Sequence, residues 1–254
     1  MKRIILLLFA LLLFSCSTKK QIVLYQDIDD REFVSIESIV THPRIQINDV
    51  LHINIATANI ESLLPFSFSA NENMINRQMP PQMAKLSGYL VNNDGDINFP
   101  QLGKINVLGK TTQEVQTIIE ERISRYIKEP TVLVRLVNFK FTINGEVNRP
   151  GTFEIFEENM TLPQALGQAG DISIRGRRDN VLIYREEGGE RKVKRIDLTQ
   201  TDWMNTEYYY VKPNDIIYVE PNKPRIKSAG FIGNVSTVIS VISFSITLTL
   251  LLTR

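Results

Sequence analysis

The sequence predicts an α+β fold in two successive units, followed by an uncharged C-terminal helix. Three observations carry this. Short runs that alternate apolar and polar residues recur between 50 and 219. Two stretches with helical spacing interrupt them, each opened by a threonine able to cap a helix, Thr111 and Thr161. No charged residue occurs between Lys227 and Arg254, a span of 26. Apolar content of 43% and charge of 22% are ordinary for a folded chain of 254 residues, long enough for one large or two small domains.

Met1-Lys2-Arg3 is a short basic start, and Ile4 to Phe14 is apolar without interruption. A bilayer span needs ~20 residues, so 1–15 reads as a secretory signal peptide. The lone cysteine, Cys16, follows at once. Leu13-Phe14-Ser15-Cys16 resembles the lipobox of bacterial lipoproteins, with Phe14 departing from the usual small or aliphatic residue. That resemblance implies cleavage before Cys16 and lipidation of its thiol and new amino group. The other reading is a free thiol beside an ordinary signal. With one cysteine an intrachain disulfide is excluded. Residues 16–41 read as a lipid-anchored tether leading into the first unit.

The first unit is expected over 42–138. Val50 to Ile55 alternates, with Leu51, Ile53 and Ile55 facing inward and His52 and Asn54 outward. Residues 61–86 are rich in Asn, Gln, Met, Ser and Pro and predict a long loop. Between Gly88 and Gly109 the pattern is strand, turn, strand, with Asp94-Gly95 as a hairpin signal. Thr111 and Glu114 match a capping box, and Val115, Ile118, Ile119, Ile123, Tyr126 and Ile127 form one helical stripe that Pro130 ends. Thr131 to Val137 is a β-branched strand.

The second unit is expected over 139–222. Strands are predicted at Phe141–Val147 and Thr152–Phe156, a short helix from Thr161 to Gln168 closed by Gly170, and strands at Val181–Arg185, Arg191–Leu198 and Ile216–Val219. Two strands, a helix, then further strands is the order of a β-grasp module. Pro221 and Pro224 are expected to end it.

The tail, 226–253, would cover about 39 Å over its uncharged residues as one helix, enough for a bilayer core of ~30 Å. Gly233, Ser236, Ser240, Ser243 and Thr247 recur at spacings of three and four and share one face. Val235, Val238, Ile239, Ile242 and Ile246 lie opposite. Three readings stay open. The first is an amphipathic helix of an oligomeric ring, its stripe lining a pore or a helix interface. The second is a plain anchor. The third is a barrel strand, because Ser243 to Leu250 alternates strictly.

A net charge of +1 argues against a nucleic-acid partner, whose phosphates demand a basic excess. Two histidines, His42 and His52, and one cysteine leave no zinc-type ligand set and no expected cofactor. Asp94, Asp96, Glu157 and Glu158 are the carboxylates an enzyme acting on glycans would need, but they read better as turn and surface residues. The cations Arg191, Lys192, Lys194 and Arg195, and Arg175, Arg177 and Arg178, read as solvated faces rather than a binding patch.

In order and spacing, the chain resembles the bacterial outer-membrane polysaccharide export lipoproteins. Its first unit is similar to their export domain through Gly88 to Val91, Asp94 to Pro100, Gly103 to Val107, Gly109 to Thr111, Glu114, Tyr126 and Pro130 to Val132. Ile47-Asn48-Asp49 stands where that family has Pro-Gly-Asp. Its second unit resembles the soluble-ligand-binding β-grasp domain through Gly145 to Val147, Pro150-Gly151 and Leu162 to Gly170. The resemblance implies a homo-oligomer ring in the periplasm, C-terminal helices crossing the outer membrane, a polysaccharide on the axis, and an inner-membrane tyrosine-kinase and copolymerase complex as partner. It implies a lipid-anchored outer-membrane protein with its body in the periplasm and no catalysis. One β-grasp module is present where better-known relatives carry two. The competing reading is a lipid-anchored β-grasp receptor that binds a soluble ligand or glycan without forming a channel.

Overall fold

Two separate hydrophobic cores organise the chain in a computed structural model that describes residues 21–39, 42–66, 87–228 and 235–252. Half-buried Leu136 packs against both. The signal peptide and Cys16 lie outside the described residues.

The first core is built around strand β1 (Val50–Ala56), with β2 (Tyr89–Leu90) and β5 (Thr131–Leu136) antiparallel on either side. A helix preceding β5 covers this sheet. Labelling the single turn Ile36–Ile39 as α1, this helix is α2 (Thr112–Ile123). Its capping box is closed on both sides: the Glu114 amide donates to Thr111 Oγ1 at 3.2 Å, and the Thr111 amide to Glu114 Oε2 at 2.8 Å. A cap of this kind contributes about 1 kcal/mol. Val115, Ile119 and Ile123 are buried. The Val132 amide donates to Glu120 Oε1 at 3.0 Å and ties the helix to β5.

Three local expectations change here. The helix stops at Ile123 instead of reaching Pro130, because Ser124 caps it and the amides of Tyr126 and Ile127 turn back onto the Ile123 carbonyl. Ile127 still reaches the core, whereas Tyr126 lies outside it against the Phe66 ring. The Asp94-Gly95 turn forms, but it joins β2 to β3 (Asp96–Phe99), which belong to different ladders. Asn92 Oδ1 captures the amides of Asp94 and Asp96, both at 2.9 Å, and so closes the turn locally. The true hairpin is β3 with β4 (Gly103–Asn106), turned at Gln101 and Gly103, both at positive φ. The expected loop 61–86 opens with a 3-10 helix, Ile60–Phe66, that buries Leu63 and Phe66; residues 67–86 lie outside the described residues.

The second core lies under a five-stranded mixed sheet, order β10-β9-β12-β6-β7. These are β6 (Lys140–Gly145), β7 (Gly151–Glu154), β9 (Gly176–Glu187), β10 (Glu190–Ile196) and β12 (Ile216–Pro221). A small ladder, β8 (Met160–Thr161) with β11 (Tyr210–Val211), and helix α3 (Leu162–Gln168) pack beside it. Thr161 and Gln164 form the second capping box. Gly145, at φ +92°, is required where β6 meets β12, since a Cβ there would stand 2.1 Å from the Val219 carbonyl oxygen. Pro221 ends β12 as expected. Pro224 instead sits in the first turn of a new helix, α4 (Lys223–Ser228), where proline's missing N–H costs nothing.

The expected tether does not lead directly into the first unit. Residues 24–34 strap across the second core. The amides of Tyr25 and Gln26 donate to the carbonyls of Leu198 and Thr199 at 3.1 and 2.8 Å, and Tyr25 lies against Trp203. Further along, Asn205 receives the Val34 amide and donates to the Glu32 carbonyl.

The single tail helix expected over 226–253 is two helices among the described residues, α4 and α5 (Val235–Leu252). At 1.5 Å per residue, the 18 residues of α5 extend about 27 Å, just under the ~30 Å core of a typical bilayer. Among the described residues no helix is long and apolar enough to cross a membrane. The conformation of 235–252 is helical, not the strand that the Ser243–Leu250 alternation also allowed.

Candidate functional site

The features with functional content are the two chain ends, the tail helix and the seam between the cores. The ends converge on one end of the second unit. Tyr25 lies within electrostatic range of Asp171; burial and then that charge push its phenol pKa up. Two residues on from Asp171, a short chain of bonds starts at Ser173 and leads to the tail. The Ser173 amide donates to the Glu146 carbonyl at 2.9 Å, and Ser173 Oγ to Glu146 Oε2 at 3.2 Å. Glu146 Oε1 accepts from Arg225 of α4 at 3.0 Å. Asn222 adds a bond from its side chain to the Ile174 carbonyl. Arg178, read from sequence as solvated, is buried and donates to the carbonyls of Ile172, Ser173 and Gly176, so it builds this end instead of facing solvent.

In α5, Ser236, Ser240, Ser243 and Thr247 follow one helical face by spacing, and Ser240, Ser243 and Thr247 are exposed. Gly233 lies outside the described residues. Sequence reasoning missed a second hydroxyl row, Ser245 and Thr249, set half a turn from the first. The alternation at 243–249 is therefore two opposite rows on a helix. Ser245, Thr247 and Thr249 each donate to the carbonyl four residues back, at 2.7–2.8 Å. Hydroxyls bonded this way leave fewer unmet polar groups for an apolar surrounding.

At the seam, a cleft of about 280 Å³ is lined by His42, Arg135, Leu136 and Phe139, with Phe156, Glu157 and Glu158 opposite. Among the described residues, neither Glu157 nor Glu158 makes an ion pair. Asp94 and Asp96 lie in the Asn92 turn, and Asp96 accepts from Asn106 at 2.9 Å. His52 is half-buried opposite Arg135 on β5; burial and then the Arg135 charge push its imidazole pKa down. Among the described residues no group of three or more His, Cys, Asp or Glu side chains is placed to hold a metal.

The densest charge cluster was invisible in the sequence. Arg185 and Asp215 are each 1% exposed and form a bidentate pair at 2.9 and 2.8 Å. Arg185 also donates to the Tyr210 carbonyl at 2.9 Å and lies 4.8 Å from the centre of the Tyr208 ring. Lys212 reaches Glu187 at 2.8 Å and Glu207 at 3.0 Å. Burial opposes charging of Arg185, but the Asp215 hydrogen bonds and charge outweigh it and raise its pKa. A paired, immobile cluster of this kind holds the fold and presents no reactive group.

Comparison with known proteins gives two adjoining matches. Residues 39–137 match a family described as polysaccharide biosynthesis/export protein, and residues 139–219 match the SLBB domain. The chain is 30% identical over 219 residues to the EPS I polysaccharide export outer membrane protein EpsA of Ralstonia solanacearum, covering 82% of this chain and 57% of that one. It is 33% identical over 158 residues to EpsA of Ralstonia nicotianae, covering 61% and 41%. It is 43% identical over 56 residues to the capsule polysaccharide export outer membrane protein CtrA of Neisseria meningitidis serogroup A, covering 22% and 14%. The chain thus spans about half the length of the two Ralstonia relatives.

Proposed function

We propose, from the premise that this chain belongs to the polysaccharide export outer-membrane protein family, that it is a subunit of an oligomeric outer-membrane channel for capsular or exopolysaccharide. The two family matches, end to end over 39–219, carry this reading. The domain division proposed is 42–138 for export, 139–222 for the β-grasp unit and 226–253 for the membrane segment.

The converging chain ends support an orientation. Cys16 and Tyr25 are nine residue steps apart and span at most about 32 Å when extended. A lipid on Cys16 therefore holds the second unit close to the membrane, and α4 starts the tail from that same end. The first unit then points into the periplasm, where an inner-membrane kinase and copolymerase complex would meet it. Helix α5 enters the outer membrane, which is thinner than average, with the row of Ser240, Ser243 and Thr247 toward water or neighbours. A hydrated polymer needs a wide wet path, which a ring of such helices supplies and one helix cannot. No step of this function is chemical.

Deleting residues 229–254 should abolish export while Trp203 fluorescence still reports a folded second unit. Wild-type export by the truncated chain would refute a pore role for the tail. The two hydroxyl rows allow a finer test. Ser240→Lys should assemble and export, while Ser245→Lys should lose membrane insertion. Equal behaviour of the two variants would refute the assigned facing.

The cleft at Phe156 to Glu158 favours the second reading, a lipid-anchored receptor for a soluble ligand or glycan. A receptor of that kind would stay monomeric in mild detergent, where the channel subunit remains a closed oligomer.

A further inference from the structure

We infer that the two free edges of the five-stranded sheet pair between copies of this chain, β10 of one copy against β7 of the next. The inference rests on the ring reading above. The sheet order places β10 and β7 at opposite ends, so among the described strands each leaves one side of its backbone unpaired.

The edges carry opposite charge. Strand β10 presents Arg191, Lys192, Lys194 and Arg195 against a single anion, Glu190. Its side chains are open: Arg191 is 76% exposed, and Lys194 has no ion pair among the described residues. Within the chain Arg191 pairs with Glu186, Lys192 with Glu187, and Arg195 with Glu220 and the Asn180 side chain. Strand β7 ends on Glu154, in register with Lys140 of β6, and Glu157 and Glu158 follow in the segment beyond the strand, at the seam cleft. Large apolar residues are exposed at both places, Val193 of β10 at 59% and Phe156, two residues past β7, at 62%. Arg135 lines the same cleft as Glu157 and Glu158.

Strand directions make the pairing possible. Strand β9 is antiparallel to β10 and to β12, β12 is parallel to β6, and β6 is antiparallel to β7. Strands β10 and β7 therefore run oppositely. A rotation that preserves strand direction brings them together as an antiparallel ladder. In that ladder Arg191 and Lys192 lie at the end where β7 runs into Glu154, Glu157 and Glu158. The contact is head-to-tail, the type that closes a ring.

Charge on an edge strand is also a common block against sheet-to-sheet association. A block works when both edges repel, which requires like signs. Here the signs are opposite, so a neighbouring copy is attracted in one orientation and repelled edge-on in the other.

The test uses the full-length lipidated chain in mild detergent, with assembly mass measured by native mass spectrometry. Arg191→Glu with Lys192→Glu should convert the ring to monomer, and Glu157→Lys with Glu158→Lys should do the same. All four together should restore the ring, because the reversed edges are again complementary. The surface pairs lost contribute little to folding, and Trp203 fluorescence checks it. Unchanged rings in both paired variants would overturn the inference, as would a folded four-fold variant that stays monomeric. A monomeric unmutated chain would overturn the ring reading itself, a distinguishable failure. If the four-fold variant does not fold, Val193→Cys with Thr152→Cys decides. Oxidation should give a ladder of covalent multimers, and a ring that yields none overturns the pairing.

Discussion

The turns 46–49 and 212–215 are nearly superimposable in their bonding, yet they give the same buried carboxylate different partners. In each, the first residue's amide donates to the aspartate side chain, at 2.8 Å in Gln46–Asp49 and 2.9 Å in Lys212–Asp215. In each, the aspartate amide returns to the first carbonyl at 3.2 Å. Asn48 and Asn214 both take positive φ, +70° and +65°. Each turn launches a strand, β1 or β12, and latches onto another segment. Asn48 and Asp49 bond Val91, while Asn214 bonds the Lys140 carbonyl and Asp215 receives the Thr142 amide. The difference is the counter-charge. Burial pushes the Asp215 pKa up as well, but Arg185 in bidentate contact opposes that shift and pairs the charge. Asp49 is 4% exposed and makes no ion pair among the described residues, and burial pushes its pKa up to about 6. The shared geometry shows what the carboxylate does locally, which is to cap a turn. The unshared partner decides whether that carboxylate stabilises the fold or strains it.

The comparison breaks most visibly at Arg185. Arg185→Met leaves Asp215 buried without its partner, which costs ~3–5 kcal/mol. Asp215→Asn strands the guanidinium and should cost a similar amount. Urea unfolding followed at Trp203, the only tryptophan and part of the second core, measures both. A loss under 1 kcal/mol would show that the cluster contributes little.

Asp→Asn at the other turn should have the opposite sign. An amide oxygen at position 49 still accepts from the Gln46 amide, while the cost of a buried charge disappears. The folded pKa of about 6 lies above the ordinary 3.8, so the folded state binds the extra proton between those values. Stability of the first unit should therefore be highest below pH ~4 and fall as pH rises through 6, by at most about 3 kcal/mol. Hydrogen exchange of the β1 amides, measured between pH 4 and 7.5 with the intrinsic exchange rate divided out, should show this decline. The Asp49→Asn variant should lose it and be more protected at pH 7.5. A loss of protection at that pH would mean Asp49 has a stabilising partner after all.

How far these features were legible depended on their reach along the chain. The Thr111–Glu114 capping box and the Thr161 N-cap were readable because their partners lie three residues away, though the return bond from Gln164 was not read. The strand and helix order of the second unit followed from local periodicity for the same reason. The Asp94-Gly95 hairpin was misplaced because a turn signal says that the chain reverses, not which strands then pair. The Arg185–Asp215 pair joins residues 30 apart, and an arginine in an alternating strand reads as solvent-facing until its partner is known. The strap was hidden more deeply. Residues 16–41 are polar enough to pass for a free tether, and only tertiary contact reveals Tyr25 against Leu198 and Trp203. In the tail, the Ser240 row was readable from spacing. The Ser245 row was not, since the same alternation fits a strand until the backbone is seen to be helical.

The smallest expected effect tests what the two turns share. Positive φ costs an ordinary L-residue ~1–2 kcal/mol, and asparagine less because its short amide bonds locally. Asn48→Ala and Asn214→Ala should each cost about 1 kcal/mol, and Asn→Gly at either site close to nothing. Exchange of the β1 amides reports the first, and Trp203 unfolding the second. Because the charge at Asp49 or Asp215 plays no part in this term, the two alanine variants should agree within ~0.5 kcal/mol. Unequal costs would mean that the latch at Val91 or Lys140, and not the turn conformation, sets the requirement at that position. Asn48 would then be the costlier site, because its carbonyl also accepts from the Asn138 side chain at 2.9 Å, a bond that ties the turn to the segment just after β5 at the end of the first unit.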